Sequence, residues 1–448
     1  MLDATTKLDS LHVTYTYFPD PSGGTEVYVR GLAQQLRAHG HLAAVAAPAS
    51  VSAVYSDSGL PVYRFQADMR ACLDLAYGVA DEIAADHFKT VIEKTKPKIV
   101  HLHARTAAIS ESLIDIAHAA GAIVIFTYHT PTASCARGTM MLFGDAPCDG
   151  RIETTRCTAC GISSLGVPRP LARLIAAVPD ALSARAAALN GKSRPLSRFR
   201  IPGLMIADQR RFLVFIQKID HVVAVSQWVN DVLVRNAVPA KKITLSRQGI
   251  GISARPPQAL PRDRTGPLKI GYFGRIGRSK GPDLLAQALS LIPEIDVRID
   301  VFAIRQGAGS DRDYAQLEEQ AQSDKRFRLR SAVTPEKVLG SMADYDLIAI
   351  PSRWLETGPL VVLEAFAANV PVLGANLGGI AELVRNGIDG ILVAPDDPNA
   401  WARAIRELAA DRSTVDRLRA RIEPPRTIAD AAEDMIKLYA EMTARHLQ

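Results

Sequence analysis

The sequence lacks most of the features that would place it in a membrane, in a secreted compartment or on a nucleic acid. It has no uninterrupted run of about 18 apolar residues, the length of a membrane-spanning helix. Its first residues, MLDATTKLDS, contain no apolar signal segment. Five cysteines in 448 residues do not make a disulfide framework. The few aromatic residues, 6% of the chain, are not interleaved with basic ones as in RNA-binding modules. We therefore expect a cytoplasmic protein that binds no nucleic acid.

A dinucleotide-binding fingerprint is also missing. No Gly-x-Gly-x-x-Gly follows the first predicted strand, and Gly307-Ala308-Gly309 is too short to replace it. This argues against an NAD-dependent oxidoreductase. The chain carries 53 Lys and Arg against 47 Asp and Glu, a net charge of +6. Such a modest basic excess suits an enzyme that handles phosphorylated substrates, or one that rests on an anionic membrane.

Short apolar runs alternate with helical patterns along nearly the whole chain, which predicts parallel α/β architecture. A Pro- and Arg-rich segment, 254–267, separates two such alternations, because its prolines interrupt sheet hydrogen bonding. We predict a first domain of residues 1–255, a second of residues 256–426, and a terminal helix within 427–448 that packs on the first domain. Parallel sheets bind ligands at the carboxyl ends of their strands, so we expect a ligand cleft between the domains.

The segment FGRIGRSKG places two cations where a predicted strand ends and a helix begins. Gly274 and Gly277 allow a tight turn that brings backbone amides close to a ligand. Arg275 provides a forked donor and Lys280 a point charge, a combination that suits a diphosphate. The alternative is an ordinary strand-to-helix turn with solvated basic side chains.

A second segment, PSRWLETGPLVVLEAFAANVPVLG, spaces two glutamates eight positions apart. Glu356 lies in a loop, and Glu364 lies within the following helix among apolar neighbours. A carboxylate in such surroundings needs partners, and sugar or ribose hydroxyls suit it well. The alternative is a structural Arg or a set of backbone amides. Thr357, Gly358 and Leu360 lie at the predicted helix N-terminus, where an anion is favoured.

Together these segments resemble the retaining glycosyltransferases of sequence family four, which have the GT-B fold of two Rossmann-like, doubly wound domains facing across a cleft. Residues 223–250 and 374–405 have the same likeness, and only 131–219 fall outside it. The resemblance implies a hexosyltransferase-type enzyme of polysaccharide biosynthesis. Its donor would be a UDP-, GDP- or ADP-sugar. Its acceptor would be a glycan, a lipid-linked sugar or a small molecule.

The resemblance also implies roles for single residues. Arg275 and Lys280 would hold the donor diphosphate, Glu356 the transferred sugar and Glu364 the nucleotide ribose. The remaining positions implied at the donor are Gly23, Gly24, Gly274, Thr357, Gly358 and Leu360. His129 matches a histidine beside the sugar, with a structural histidine as the alternative. His101 and His103 are interpreted as structural. Gln248-Gly249 departs from the Asn-Gly usual in the family, which leaves that turn open.

The resemblance implies a front-face mechanism, in which the departing diphosphate takes the acceptor proton. The two Asp-x-Asp sequences, which in some transferases hold a divalent ion, are interpreted as structural, so we expect no catalytic metal. They are Asp311-Arg312-Asp313 and Asp344-Tyr345-Asp346. The competing function is a nucleotide-sugar epimerase or hydrolase of the same fold.

Residues 131–219 form an unusually long connection, for which we expect a structure of its own. Four of the five cysteines lie there: Cys135, Cys148, Cys157 and Cys160. Four thiolates suit a closed, structural zinc site that provides folding free energy. The alternatives are an iron–sulfur cluster, disulfides or unpaired thiols.

The same segment is strongly basic. Its ten cations are Arg169, Arg173, Arg185, Lys192, Arg194, Arg198, Arg200, Arg210, Arg211 and Lys218, and the nearby acids are Asp180 and Asp208. Apolar residues are interleaved with them, as in helices that lie on an anionic membrane. Peripheral contact with the inner face of the membrane, and a lipid-linked acceptor, would explain this charge. The alternative is a solvated helical hairpin packed on the domain.

Overall fold

The computed structural model describes residues 7–20, 23–70, 72–179, 182, 194–251, 266–305 and 310–446, with backbone alone at 194–199 and 310. The chain divides into two units, Met1–Arg247 with Ile428–Gln448, and Gln248–Thr427. Most of the predicted linker, 254–267, lies outside the described residues, as does Gly307-Ala308-Gly309. None of the helices in the described part combines the length and the hydropathy of a membrane-spanning segment.

A mostly parallel sheet forms the centre of the first unit. The strands of this unit are β1 (Ser10–Val13), β2 (Ala43–Ala49), β3 (Ala53–Asp57), β4 (Leu60–Gln66), β5 (Ile99–Leu102), β6 (Ile123–Tyr128), β7 (Met141–Leu142), β8 (Ala146–Pro147), β9 (His221–Ala224) and β10 (Ile243–Leu245). β7 and β8 form a separate hairpin, and the other strands pair in the order β10-β9-β6-β5-β1-β2-β4-β3. Only the edge strand β3 is antiparallel to its neighbour. The central strands are apolar and covered on both faces, as parallel strands require.

Helices connect these strands. They are α1 (Gly24–Ala38), α2 (Leu73–Ala76), α3 (Glu82–Thr95), α4 (Glu111–Ala119), α5 (Thr154–Ser164), α6 (Arg169–Ala176), α7 (Arg194–Lys218) and α8 (Gln227–Arg235). The C-terminal part of α7 and the residue that follows it belong to the main core, because Phe212, Phe215, Ile216 and Ile219 lie in the same buried apolar cluster as residues of β6. These last turns of the long connection 131–219 therefore share the core of the first unit.

The second unit contains a fully parallel sheet. Its strands are β11 (Leu268–Arg275), β12 (Val297–Ile304), β13 (Phe327–Arg330), β14 (Leu347–Ile350), β15 (Val372–Ala375) and β16 (Gly390–Val393). They pair in the order β13-β12-β11-β14-β15-β16. Its helices are α9 (Pro282–Ser290), α10 (Ser310–Ser323), α11 (Pro335–Met342), α12 (Leu360–Ala367), α13 (Gly378–Leu383), α14 (Pro398–Ala410) and α15 (Arg412–Arg419). The chain order reverses direction at β11, so loops that follow β11 and β14 lie next to each other.

The last helix, α16 (Ile428–His446), belongs to the first unit. It buries apolar residues spaced three and four apart, which lie on one face of a helix. These residues are Ile428, Ala431, Ala432, Met435, Leu438, Tyr439 and Met442. They pack against the buried face of α1 and the adjoining face of the sheet.

Candidate functional site

The turn after β11 carries both predicted phosphate-binding cations. Arg275, preceded by Gly274, is the exposed last residue of β11, and Lys280 follows in the turn that leads to α9. Gly281 has a φ of +70°, and a Cβ there would lie 2.1 Å from the Pro351 carbonyl oxygen. Only glycine fits at this position. The turn is therefore in close contact with the residue that follows β14.

Glu356 accepts three hydrogen bonds at a single carboxylate oxygen, Oε1. Lys280 Nζ lies 2.6 Å from this oxygen, and Ser352 Oγ and Trp354 Nε1 lie 2.8 Å and 2.7 Å from it. The Lys280 ammonium is also 5.0 Å from the centroid of the Trp354 ring, a cation–π distance. The Glu356 side chain is 8% exposed and the Lys280 side chain 23%. The structure thus joins two predicted site residues that are 76 positions apart.

Two glycines that were not predicted hold the Glu356 loop in place. The Gly379 amide donates to the Glu356 carbonyl at 2.7 Å, and a Cβ at Gly379 would lie 2.8 Å from that oxygen. Gly378 has a φ of +51° and allows an equally close approach. The Gly-Gly pair within GANLGGIAEL is the sequence feature from which these two glycines could have been predicted.

The loop continues through Thr357 and Gly358 to α12, which begins at Leu360 as predicted. Thr357 is buried, and Leu360 packs against the small cluster around Leu363. A Cβ at Gly358 would lie 2.6 Å from Gln248 Oε1. Gln248, the residue that departs from the family pattern, therefore packs directly against the predicted donor loop.

Glu364 lies on α12 between the buried residues Leu363 and Ala365. Among the described residues, none donates a hydrogen bond to its carboxylate or pairs with it. Burial raises the pKa of Glu364 to about 7, because the apolar surroundings disfavour the charged form. As a whole residue, Glu364 is only partly buried.

In the first unit, Gly23 and Gly24 lie at the start of α1, between β1 and its helix. The Gly23 amide donates to Glu26 Oε2 at 2.7 Å, and Glu26 is buried. A phosphate at this helix start would compete with the Glu26 carboxylate for that amide.

His129 directly follows β6 and is 5% exposed. Its Nε2 lies 3.0 Å from His103 Nδ1, and its ring makes an edge contact with the Tyr28 ring at 5.3 Å. Burial lowers the pKa of His129 to about 3, so the imidazole is neutral at physiological pH. His103, which was interpreted as structural, is thus hydrogen-bonded to the predicted site histidine.

The four clustered cysteines line one cavity of about 30 Å³. Cys135 and Cys148 flank the β7–β8 hairpin, and Cys157 and Cys160 lie one turn apart on α5. All of them are free thiols. Burial raises the pKa of Cys148 to about 11. No three of their sulfur atoms lie within 4.8 Å of one another, a spacing that only His12, His101 and His103 reach among the described metal-ligand side chains.

The two Asp-x-Asp sequences lie in different surroundings. Asp311 and Asp313 lie in the first turn of α10, where acids favour the helix dipole. Asp346 accepts from the Lys269 amide and from Arg412 Nη2, both at 2.8 Å. The interpretation of both sequences as structural stays a prediction.

Several cations of the basic segment have acidic partners from elsewhere in the first unit. The pairs are Arg169 with Asp145, Arg200 with Asp74 at 2.5 Å and Lys218 with Asp115 at 2.6 Å. Asp208 pairs instead with Arg105, at 2.7 Å. The expectation that only Asp180 and Asp208 oppose these cations is thus wrong, because it counted acids near in sequence rather than near in space. Asp180, Arg185 and Lys192, and the side chains of Arg194 and Arg198, lie outside the described residues.

Sequence comparison matches both units to known families. The profile described as "Glycosyl transferase 4-like domain" matches residues 23–249, and that described as "Glycosyl transferases group 1" matches residues 267–411. The D-inositol 3-phosphate glycosyltransferase of Corynebacterium urealyticum is 33% identical over 148 residues, which are 32% of this chain. The match spans 35% of that relative's own length.

Solved structures share the fold along nearly the whole chain. Anabaena Alr3699/HepE, in complex with UDP and glucose, superposes with a TM-score of 0.64 at 15% identity. Sucrose-phosphate synthase from Thermosynechococcus elongatus superposes with a TM-score of 0.66 at 19% identity. In both cases the match covers 97% of this chain and 99% of the other. The predicted GT-B fold is confirmed.

Proposed function

The chain belongs to the group 1 glycosyltransferases, and on that premise we propose that it transfers a sugar from a nucleotide-sugar donor with retention of anomeric configuration. The observation that carries this proposal is the cluster of Arg275, Lys280 and Glu356 at the carboxyl edge of the second sheet, followed on α12 by Glu364, whose carboxylate has no partner in the described part of the chain. Cations suit a diphosphate, and carboxylates suit hydroxyls.

In this proposal, Arg275 and Lys280 bind the donor diphosphate. Glu356 accepts hydroxyls of the transferred sugar, and Glu364 accepts those of the ribose. Lys280 Nζ lies 2.6 Å from Glu356 Oε1, so in this proposal the ammonium contacts both the carboxylate and the diphosphate. Gly23 and Gly24 of the first unit are proposed to contact the donor phosphates, and His129 to lie beside the sugar.

The proposed mechanism is a front-face displacement. The acceptor hydroxyl attacks the anomeric carbon from the side that the diphosphate leaves, and the leaving diphosphate takes the hydroxyl proton. Arg275 and Lys280 then act by stabilising negative charge that develops on the leaving group. Orientation of donor and acceptor provides the rest of the rate acceleration. No metal is required in this scheme, since fixed cations neutralise the diphosphate.

The experiment is a donor screen followed by product analysis. The full chain is incubated with UDP-, GDP- and ADP-hexoses and a set of sugar, inositol phosphate and lipid-linked acceptors. UDP-glucose is the first choice, because the similar HepE structure holds UDP and glucose. Proton NMR should show a product with the anomeric configuration of the donor. An inverted product, or donor consumption that needs no acceptor, would contradict the proposal.

We also propose that the four-cysteine cavity binds a structural zinc ion. Two of the sulfurs already accept backbone amides, Cys160 from Phe143 at 3.1 Å and Cys148 from Gly150 at 3.5 Å, as the thiolates of zinc knuckles do. A zinc tetrahedron needs sulfurs about 3.8 Å apart, so binding has to draw these four together. Three of the thiols also have to lose their protons against a pKa raised by burial.

Elemental analysis of protein purified without added metal tests this proposal. About one zinc per chain is expected, lost in the Cys157→Ser, Cys160→Ser double variant. Cys72→Ser is the matched control, because Cys72 is exposed and lies outside the cavity. Metal-free protein with five titratable thiols, or an iron-containing coloured protein, would reject zinc at this site.

A third part of the proposal is peripheral contact with anionic lipid at the cytoplasmic face. Helix α6 and its flanks expose Leu171, Leu174 and Val178, at 49%, 70% and 40%, beside Arg173. Apolar side chains next to cations suit an anionic interface. Flotation with phosphatidylglycerol vesicles should retain the native protein, and Leu171→Gln, Leu174→Gln should weaken binding. Failure to bind at low salt would exclude this contact.

A further inference from the structure

Three histidines lie side by side along the carboxyl edge of the first sheet. His12 lies in β1, His103 directly follows β5 and His129 directly follows β6. The sheet order β6-β5-β1 makes these strands neighbours. Neighbouring strands are about 4.8 Å apart, a step that one imidazole hydrogen-bonded to the next can span. The three rings therefore form a row across the strands.

The row is a continuous hydrogen-bonded chain that starts at a serine. Ser10 Oγ lies 3.1 Å from His12 Nε2, and His12 Nδ1 lies 3.0 Å from His103 Nε2. His103 Nδ1 lies 3.0 Å from His129 Nε2. Ser10, His12, His103 and His129 are exposed by only 1%, 0%, 2% and 5%. Each histidine thus uses one ring nitrogen for the residue before it, and His12 and His103 use the second for the residue after.

Neutral imidazoles in such a chain have to adopt the same tautomer. Burial lowers the pKa of His12 and of His129 to about 3, and that of His103 well below its usual value. A neutral ring has one N–H and one bare nitrogen. A hydrogen bond between two rings needs one of each. Either all three rings carry the proton on Nδ1, or all three carry it on Nε2.

We propose that His12 and His103 are positioning residues that fix, through this hydrogen-bonded chain, which nitrogen of His129 carries its proton. Among the described residues, the buried Ser10 hydroxyl has His12 Nε2 as its hydrogen-bond partner, and its proton is satisfied when it donates to that nitrogen. All three rings then carry their proton on Nδ1. Because the chain ends at this buried hydroxyl, it does not carry protons to solvent. Its effect on catalysis rests on the proposed place of His129 beside the transferred sugar.

His101 provides the internal control. It lies between the other histidines on the sheet and stacks on His103 with ring centroids 4.2 Å apart. Its nitrogens, however, bond to hydroxyls, Nδ1 to Tyr439 at 2.6 Å and Nε2 to Thr127 at 2.6 Å. A hydroxyl can donate or accept, so the tautomer of His101 is not tied to the chain.

A metal ion is the competing explanation, because ring nitrogens of His12, His101 and His103 lie within 4.8 Å of one another. Each of their nitrogens already has a hydrogen-bond partner, and a metal would have to replace several of these bonds. The hydrogen-bonded chain and the two hydroxyl partners of His101 account for every nitrogen of these three rings without an ion.

The experiment is nitrogen NMR of the full chain with ¹⁵N-labelled histidine. Long-range proton–nitrogen spectra distinguish the two tautomers and the imidazolium, and need no substrate. We expect His12, His103 and His129 to show one shared tautomer at pH 7.5. His103→Phe should leave His129 in a mixture of tautomers. His103→Gln, which restores one donor and one acceptor, should return it to a single form, and His101→Gln should change nothing at His129.

Kinetics provide the functional readout. His103→Phe should lower kcat about tenfold, equivalent to about 1.4 kcal/mol, with the donor KM unchanged, and His103→Gln should recover part of it. Different tautomers in the native rings, an imidazolium signal, or stoichiometric metal on these histidines would overturn the proposal. An unchanged kcat in the His103→Phe variant would overturn the part of the proposal that concerns catalysis. If His103→Phe does not fold, the spectrum of the native protein still decides. If the three rings share one tautomer but the protein transfers no sugar, only the proposed function is rejected.

Discussion

The carboxyl edges of the two sheets carry opposite kinds of polar chemistry. In the second unit, Lys280 and Glu356 form a charged pair 2.6 Å apart. In the first unit, the described edge around His129 is a row of neutral imidazoles joined at 3.0 Å. The charged pair keeps contact with solvent, while the imidazoles are almost completely buried.

This difference follows from the cost of burying charge. A neutral ring can be buried completely when each nitrogen has a partner, whereas an isolated buried charge is strongly unfavourable. The second unit is therefore able to stabilise charge that develops on a leaving group. The first unit can orient a hydrogen bond without adding charge. Substitutions at the two sheet edges should therefore have different effects on activity and stability.

The largest effect is expected from removing the cations of the second unit. Replacing Arg275 and Lys280 by Ala should lower the rate of transfer at least a hundredfold. Each lost contact to developing charge is worth about 2.7–4 kcal/mol. The fold should persist, because Arg275 is exposed and Glu356 keeps Ser352 and Trp354 as donors. Initial rates, with circular dichroism as the check on folding, measure this.

The matched control is Arg278→Ala. Arg278 is an exposed cation in the same turn and is not part of the proposed site. It should retain most of the activity. Near-native rates in the Arg275→Ala, Lys280→Ala variant would remove the distinction between the two edges.

The charged edge was largely predictable from the sequence. Buried parallel strands are recognisable as short apolar runs, and their carboxyl ends converge at one edge. The resemblance to the family-four glycosyltransferases then implied that Lys280 and Glu356 act on the same donor, although 76 positions separate them. The glutamates were also recognisable because an acidic residue such as Glu364 is unusual among apolar helix residues.

The neutral edge was not predictable, because it depends on which strands are neighbours. His12, His103 and His129 follow or occupy strands far apart in sequence, and nothing local states that β1, β5 and β6 are adjacent. The same reason applies to the partner of Gly379, the Glu356 carbonyl, although the Gly-Gly pair itself is visible in the sequence. It applies also to Phe215, whose helix lies in the long connection 131–219 while its ring lies in the main core. In each of these examples, the contact is determined by which residues are neighbours in the folded chain rather than by the type of residue.

A second prediction concerns the turn that carries Lys280. Gly281→Ala should lower the free energy of unfolding by about 1–3 kcal/mol, the cost of a strained backbone. Its φ of +70° is unfavourable for alanine, and the new Cβ would meet the Pro351 carbonyl. Urea denaturation measures the change. Gly340→Ala, at an exposed site in α11 with open space around it, should instead stabilise by up to about 1 kcal/mol. Equal effects at both sites would mean that the turn is not constrained.

The third prediction tests the neutral edge. Tyr439→Phe removes the hydroxyl 2.6 Å from His101 Nδ1 and leaves a buried nitrogen without that partner. We expect a loss of about 1–2 kcal/mol in unfolding free energy. The loss should be the same in 0.05 M and 1 M salt, because both groups are neutral and salt screens only charges. Tyr15→Phe is the control, since Tyr15 is 61% exposed. A loss that disappears at high salt would imply a charged imidazole.

The smallest effect is expected at Glu364, where a carboxylate of the charged edge is itself neutral over part of the pH range. Its pKa is about 7 in the folded protein, against 4.5 ordinarily. Below pH 4.5 both states hold the proton, so its stabilising contribution is complete. Between pH 4.5 and 7 only the folded state holds the proton of Glu364, and stability is lost as the pH rises.

The Glu364→Gln variant cannot ionise at this position. Its free energy of unfolding should therefore rise relative to that of the native protein from pH 4.5 to 7, and the difference should not grow further above pH 7. The gain should be of order 1 kcal/mol, because Glu364 is only partly buried as a residue, which weakens the electrostatic effect. Donor hydroxyls prefer the ionised carboxylate as acceptor, so donor affinity of the native protein should rise through the same window. Unfolding curves and donor titrations at pH 5, 6, 7 and 8 measure both. A difference between native and variant that is flat with pH would show that Glu364 is ionised throughout this range.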